Sequence, residues 1–500
     1  MAVGVGVAVV GVTAVVGDGI TAGAAGDGIP AGAAGAGAAG AASSADDRAR
    51  TRTACRARSY RVPDHVEASS TNRAEAGDQM KIVCIGGGPA GLYFAISMKR
   101  RDPAHDITVI DRDPLGSTYG WGVVYWDDLL DILYRNDPDS AQEVRAGSVV
   151  WREQAIHVRD NQTAYFGGYG FSMGRAALLD LLSRRASDLG VDVQHGREVH
   201  DLSGFDDADL IVASDGANSR VRQLGNDRFG TSVTLGENRY IWLGTDKVFT
   251  RFTFAFELTS AGWIWFHAYP SVAEKISTCI VECQPQTWHG LGFDSLDNTE
   301  NLRVLENTFA RLLDGHSLIS KTRGEFARWS RFPEITNKTW YHDNVVLLGD
   351  AAHTTHFTIG SGTRLAIVDA VVLAQNLYEH AEVADALENY DAQRRAALRP
   401  IQAAARASMA WFEHADRYLD RGAVRFAYAM AVRHGLQAPW RYQLHLLTQV
   451  PTVRKIRRAI DSGERWWRAA RRGELAMALP SPRRPLETPD RTVGLGRRAG

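Results

Sequence analysis

Residues 80–113 read MKIVCIGGGPAGLYFAISMKRRDPAHDITVIDRD, and this stretch constrains the fold more than any other part of the chain. Lys81–Ile85 is a short apolar run typical of a buried parallel strand. Gly86, Gly88 and Gly91 follow at once in G-x-G-x-x-G spacing, with Pro89 and Ala90 between the last two. A helical stretch runs from Leu92 to about Arg100, and a second apolar run, Ile107–Ile110, ends in Asp111, with Arg112 next to it. Each part has a physical task. Gly86 permits the tight turn, Gly88 lets backbone approach a pyrophosphate, and Gly91 allows a helix to pack closely on a strand. Phosphates favour the helix N-terminus, where free N–H groups and the dipole attract anions. Asp111 is placed to accept hydrogen bonds from the ribose hydroxyls of an adenosine, and Arg112 is counted with that end. The prediction is an α/β fold whose parallel sheet binds a dinucleotide.

Two further strand ends carry an acid beside a glycine. Residues 207–222, DADLIVASDGANSRVR, predict a strand over Leu210–Ser214, then Asp215-Gly216, then a helix holding Arg220 and Arg222. DNVVLLGD predicts another strand ending in Gly349-Asp350. Such ends converge at the carboxyl edge of one parallel sheet. The stretch after the second, GDAAHTTHFTIGSGT, has two readings. Asp350, His353 and His356 recur at steps of three, as metal ligands can, whereas Gly360-Ser361-Gly362 suits a loop pressed against a cofactor and opening a helix. Between these motifs the pattern changes to short alternating segments at 239–245, 251–258, 262–270 and 276–283, read as an antiparallel meander. In the third, Trp263, Trp265, His267 and Tyr269 share one face and Ile264 and Phe266 the other. That aromatic face suits a flat aromatic substrate. It is equally readable as core, with His267 a hydrogen-bonded structural residue.

The rest of the composition mostly excludes. A net charge of −1 offers no bulk attraction for nucleic acid or anionic membrane. The Arg-rich stretch Arg454–Arg472 reads as a solvated helix face. Cys55, Cys84, Cys279 and Cys283 form no CxxC pair and no zinc pattern, so a reducing, cytoplasmic setting fits. Residues 1–79 are rich in Gly, Ala and Val and then in Arg, without periodicity. They read as disordered, with neither a basic signal-peptide start nor a clean membrane span, and Met80 stands as an alternative start. The Pro/Arg-rich tail, 479–500, reads the same way.

Taken in order, the glycine motif, Asp215-Gly216 and Gly349-Asp350 resemble the flavoprotein aromatic hydroxylases of the para-hydroxybenzoate hydroxylase type, over about residues 80–415. The resemblance implies FAD as cofactor and NADH or NADPH as a transient electron donor. It also implies a monooxygenase that hydroxylates an electron-rich aromatic ring. Arg175, in GFSMGRAALLDLL, matches an arginine that lies against FAD in that family. Asp215-Gly216 would touch FAD and the nicotinamide donor, Asp350 would hold the ribityl chain, and the N–H groups of Gly360-Ser361-Gly362 would face the flavin. His353 would lie near FAD and coordinate nothing, so the resemblance implies no metal. His356-Phe357 stands where most relatives have Pro-Pro facing flavin and substrate, which makes His356 a candidate catalytic residue and Phe357 a substrate contact, beside His267, the titratable group of the aromatic face and the other catalytic candidate. No second G-x-G-x-x-G follows an apolar strand (the match at Gly35, Gly37 and Gly40 lies in the Gly/Ala-rich start), unlike disulfide reductases. YGWGVVYWDDLL, RYIWLGTDKVF, FHAY, STCIVE and HTTHFTIGSGTRLAIVDA look like the salicylyl-CoA 5-hydroxylase and 2-aminobenzoyl-CoA monooxygenase group. The implied substrate is an aryl-CoA thioester, with tryptophan or a carrier-bound aromatic as the alternative. A halogenase is disfavoured because His267-Ala268 follows GWIWF where that group has Ile-Pro, and intact motifs argue against a non-catalytic FAD-binding protein.

The expected organisation is an FAD-binding domain over 80–228 and 336–375, an inserted antiparallel-sheet substrate domain over 229–335, and C-terminal helices over 376–478. A homodimer is compatible with it, and no membrane span is expected.

Overall fold

The computed structural model describes residues 79–474 apart from residues 115, 118–119, 160–161, 272–274, 323–324 and 434–438. Apart from residue 79, the expected disordered ends at 1–79 and 479–500 lie outside the described residues. The strands begin with β1 (Lys81–Ile85), β2 (Asp106–Asp111), β3 (Gly122–Tyr125), β4 (Val149–Val158), β5 (Gln162–Gly174), β6 (Asp192–His195) and β7 (Leu210–Ala213). They continue with β8 (Ser232–Leu235), β9 (Arg239–Thr245), β10 (Phe252–Thr259), β11 (Gly262–Ser271), β12 (Ile276–Cys283) and β13 (Leu318–Ile319).

A six-stranded sheet has the order Tyr341–His342, Val345–Leu347, β7, β1, β2, β6. All its pairs are parallel except the hairpin at 341–347. Its central strand β1 has Ile82, Val83, Cys84 and Ile85 buried on both faces, which accounts for the unbroken apolar run in the sequence. The three motif-bearing strands therefore finish side by side. Helix α1 (Pro89–Arg101) starts with proline in its first turn and ends in Lys99, Arg100 and Arg101, both placements that a helix favours.

The second sheet has eight strands in the order β13-β9-β12-β11-β10-β4-β5-β3. The four segments expected as strands are strands, but not as one meander. β10, β11 and β12 run as consecutive antiparallel neighbours, whereas β9 pairs with β12 on the far side. β4 pairs with β10 in parallel, so the sheet is mixed. β3, β4 and β5 precede residue 228, so this sheet also draws on the segment expected to belong to the FAD-binding half. β4 joins them to it by pairing with β10 about a hundred residues on, beyond any local pattern.

One face of the large sheet buries Phe252, Phe254, Phe256 and Trp265 against Phe412 and Phe426 of the helices Val383–Glu413 and Ala423–Ala431. Each such side chain contributes about 1.5–3 kcal/mol by leaving water. The opposite face packs Ile264, Phe266 and Ala268 against Phe309 and Leu313. The last long helix, Pro451–Arg471, reverses the expected solvated arginine face. Arg457 pairs with Asp461 at 2.8 Å, Arg472, just past the helix end, reaches Asp127 at 2.7 Å, and Arg454 lies 3.7 Å over the Tyr165 ring. Ile456, Ile460, Trp466 and Trp467 are exposed instead. Among the described residues no helix is long and apolar enough to cross a membrane.

Candidate active site

The motif-bearing strand ends frame a groove between the two sheets. Gly86 has φ +111°, and a Cβ there would collide with the Ser214 carbonyl after β7. A Cβ on Gly91 would collide with the Gly86 carbonyl, so both glycines are required by close backbone approach. Asp111 is bound by backbone: its carboxylate accepts from Gly87 N–H at 2.6 Å and Asp113 N–H at 2.8 Å. It lines a recess with Gly87, Gly88, Ser117, Arg175 and His195. Arg112 is exposed beside it and does not line that recess. Gly88 and Arg175 also line the main cavity, so the two spaces are joined into one elongated groove.

Three helix N-termini converge on this groove. They belong to α1 at Gly88, Pro89 and Ala90, to the helix Arg175–Asp188 at Arg175, and to the helix Gly362–Glu379 at Ser361 and Gly362. Arg175 adds a full positive charge, its Nε is buried without a partner, and burial lowers its pKa against the pull of Asp350. Aligned N–H groups and an uncompensated guanidinium are the donor set a diphosphate needs. Gly216 (φ +80°) and Gly362 also line the cavity, and a Cβ on either would meet no atom within 4 Å. Flat open backbone of this kind admits a planar ring. The residues present thus fit FAD.

The acid–glycine pairs divide their tasks. Asp215 turns away from the cavity, accepting from the N–H groups of Arg220 (2.7 Å) and Val221 (3.3 Å), and leaves Gly216 at the wall. Arg222 ties this loop to the other one, donating to the carbonyls of Ala217 at 2.6 Å and Ala351 at 2.9 Å. Its importance was unflagged in the sequence, where it reads as one arginine of a short helix. Gly349 has φ +61°, and a Cβ there would lie 3.0 Å from the Ala90 side chain, so the turn packs close on α1. Asp350 then faces the cavity, where desolvation pushes its carboxyl up against the pull of His353 and Arg175.

The far wall is aromatic. Phe252, Phe254, His267, Tyr269, Trp242 and Phe357 line it. His267 lies between Phe252 (6.0 Å, near-parallel rings) and Phe357 (5.7 Å). Burial, and secondarily Arg433, lowers its pKa to about 3, so it is neutral and carries one donor and one acceptor. No described residue hydrogen-bonds to its ring. The Tyr269 hydroxyl donates to the Gly122 carbonyl at 2.8 Å, which fixes the phenol as part of the wall. Phe252, Phe254 and Trp242 were legible only as alternating strand residues. Their meeting with His267 depends on the register Phe254↔His267, which the sequence does not carry.

Trp263 and Trp265 share that face but lie beyond the cavity. Trp265 donates to Glu282 at 3.1 Å and stacks on Phe412 at 6.2 Å, and Trp263 sits under the Arg159 guanidinium at 4.5 Å. The C-terminal helices cover this end of β11, so it is core. His356 also falls outside the cavity lining. Its Nδ1 meets Thr358 Oγ1 at 2.8 Å, Thr358 meets Ser408 at 2.7 Å, and Arg433 donates to Ser408 at 2.8 Å. Its neighbour Phe357 takes the cavity position. His353 pairs with Asp369 at 2.8 Å, and Asp369 in turn with Arg394 at 2.7 Å. The acid–histidine steps therefore point three ways, and among the described residues no group of three or more His, Cys, Asp or Glu stands together as a metal site.

The family described as FAD binding domain matches residues 206–405. Salicyloyl-CoA 5-hydroxylase of a Streptomyces species is 35% identical over 433 residues, spanning 83% of this chain and 79% of that protein. The 3-hydroxy-4-methyl-anthranilyl-(aryl-carrier protein) 5-monooxygenase of Streptosporangium sibiricum is 37% identical over 363 residues, spanning 72% of this chain and 96% of that protein. Among solved structures, tetrameric 2-methyl-3-hydroxypyridine-5-carboxylic acid oxygenase superposes with a TM-score of 0.56 at 22% identity, covering 71% of this chain and 97% of that one, which shows a shared fold.

Proposed function

Because the chain belongs to the FAD-dependent aromatic monooxygenases, we propose that it hydroxylates an electron-rich aromatic ring carried as a thioester, on CoA or on a carrier protein. The observation that carries this reading is the groove itself, with three helix N-termini and Arg175 at one end and a closed aromatic wall at the other. The aryl thioester is supported by the two relatives, whose names specify a CoA thioester and a carrier-bound anthranilyl group.

In this reading Gly86, Gly88, Pro89, Ala90 and Gly91 cradle the diphosphate of FAD beside Arg175. Asp111 takes the adenosine ribose, with Arg112 at the exposed edge. Asp350 takes the ribityl chain, and Gly216, Gly360 and Gly362 line the ring system. Asp215 acts by shaping the Gly216 turn. Bound FAD, reduced by NADH or NADPH, supplies the activation of dioxygen. The protein's own work is different. Phe252, Phe254 and Phe357 exclude water and sandwich the substrate ring, and neutral His267 accepts a hydrogen bond from its hydroxyl or amine, which directs electron density into the ring. Cys84, Cys279 and Cys283 are free and buried, which suits a reducing cytoplasm. The exposed Ile456, Ile460, Trp466 and Trp467 support a homodimer.

Product analysis by mass spectrometry tests the reading. The protein should convert salicyloyl-CoA or 2-aminobenzoyl-CoA to a product carrying one more oxygen atom, with NAD(P)H oxidation stimulated by that substrate. Stimulation by free tryptophan alone would favour the alternative of an amino-acid hydroxylase. No stimulation by any aromatic would sink the proposal.

A further inference from the structure

Away from the groove, arginines crowd the junction of β4, β5 and the helix Pro451–Arg471. Most are neutralised: Arg251 by Glu153 (3.1 Å), Arg457 by Asp461 (2.8 Å) and Arg468 by Glu464 (2.9 Å). Arg152, Arg458 and Arg465 are not, because no carboxylate among the described residues lies within ion-pair distance of them. Arg152 and Arg458 line a surface recess with Thr250, Arg251 and Ser462, and Arg465 lies behind them with Tyr169 and Asp461, in a closed hollow too small for a water molecule. Arg465 Nε is buried without a partner, and its pKa is lowered by burial and then by Arg152 and Arg145. Like charges held together without an anion raise the energy of the empty site, and binding of an anion relieves it.

The backbone here is shaped for the purpose. The β4–β5 register shifts between Arg152 and Gln154, and Glu153 sits at φ +68°, a strained value for a side-chain-bearing residue. The bulge turns Glu153 inward, 3% exposed, and leaves Arg152 outward. Opposite it, Gly168 (φ +105°) donates its N–H to Asp461 at 2.8 Å, which seats the helix that carries Arg458 and Arg465. The recess adjoins the substrate wall. Phe252 lines the cavity while Thr250 and Arg251, in the bend just before it, line the recess, a separation of at most roughly 7 Å along the chain.

We propose that Arg152 and Arg458, backed by the charge of Arg465, bind a phosphate of the substrate's thioester handle, the phosphates of CoA or the phosphodiester of a carrier's phosphopantetheine arm, while the aryl group occupies the cavity. The site rests on the aryl-thioester reading above. The guanidiniums of Arg152 and Arg458 with the Thr250 hydroxyl supply convergent donors of the kind phosphate requires, and Arg465 adds charge from behind.

The test titrates FAD-loaded protein with four ligands: salicyloyl-CoA, salicyloyl-4′-phosphopantetheine, salicyloyl-pantetheine (which has no phosphate) and NADPH. The proteins are the wild type, Arg465→Gln and the double variant Arg152→Gln/Arg458→Gln, with flavin absorbance reporting that the variants remain folded. Expected is a loss of about tenfold or more in affinity of the double variant for salicyloyl-CoA, with salicyloyl-pantetheine and NADPH unchanged. A matching loss for salicyloyl-4′-phosphopantetheine assigns the site to the phosphate nearest the arm, as a carrier would use it, and a loss for CoA alone assigns it to the nucleotide phosphates. Equal binding of salicyloyl-CoA by wild type and double variant, or a loss confined to NADPH, overturns the proposal. If the wild type neither binds nor turns over any of the thioesters, the aryl-thioester reading falls first and takes the site with it.

Discussion

The cofactor end and the substrate end of the groove are built on different principles. At the end proposed for the cofactor the lining is mostly backbone, glycines at strand ends and helix N-termini, joined by the side chain of Arg175. At the substrate end they are made by side chains from β9, β10, β11 and the loop after Gly349, held in place by helices more than a hundred residues away. Two histidines illustrate the contrast within the second group. His267 and His356 are both buried and both pushed down to about 3, yet His267 faces the cavity with no hydrogen-bonding partner and His356 is locked to Thr358. Burial and charge do not separate them. Direction does.

The most severe way to break the cofactor end is Gly86→Ala, which puts a Cβ into the Ser214 carbonyl. FAD affinity should fall by about a hundredfold or more, read as loss of flavin absorbance after gel filtration, with circular dichroism checking that the fold survives. Retention of FAD at wild-type affinity would remove the close-approach argument. At the substrate end, His267→Phe should lower kcat/KM by about 10- to 100-fold with little change in thermal stability, since it removes a hydrogen bond made only to substrate. His356→Phe should do the reverse. It breaks the chain to Thr358, Ser408 and Arg433, costing about 1–3 kcal/mol of stability, and should leave kcat/KM within about threefold. If both variants lose activity equally, the contrast between them is wrong.

The effect that is smallest at neutral pH is the pH dependence of stability. Unfolded histidine binds a proton near pH 6.5 while the folded rings do so only near 3, so between those values the unfolded state holds more protons. Stability should therefore be level above about pH 7 and fall as pH drops from about 6.5 toward 3, measured as melting temperature against pH. Either phenylalanine variant should flatten that slope.

How much was legible follows from the same division. The glycine loop, Asp111 and Gly349-Asp350 are local features, because strand, turn and helix start within a few residues of one another, whereas Arg175 was legible only through the family resemblance. The four strand segments and the two faces of β11 were legible through alternation. What alternation cannot tell is which end of a face meets a cavity and which meets a helix, so Trp263 and Trp265 read the same as His267 and Tyr269. Nor could it place β3, β4 and β5 in the larger sheet, or turn the arginines of 454–472 inward, since both depend on partners distant in sequence. His356 and Phe357 lie in a loop, where no period assigns direction.

The central claim is that this groove hydroxylates an aromatic thioester with an oxygen atom from dioxygen. FAD-loaded protein should be incubated with NAD(P)H, salicyloyl-CoA and isotopically labelled dioxygen, and the product ring analysed by mass spectrometry. The account predicts one labelled oxygen atom on the ring for each product molecule, with the yield falling in His267→Phe and held in His356→Phe. An unlabelled product, or oxidation of NAD(P)H that salicyloyl-CoA and 2-aminobenzoyl-CoA both fail to stimulate, would contradict it.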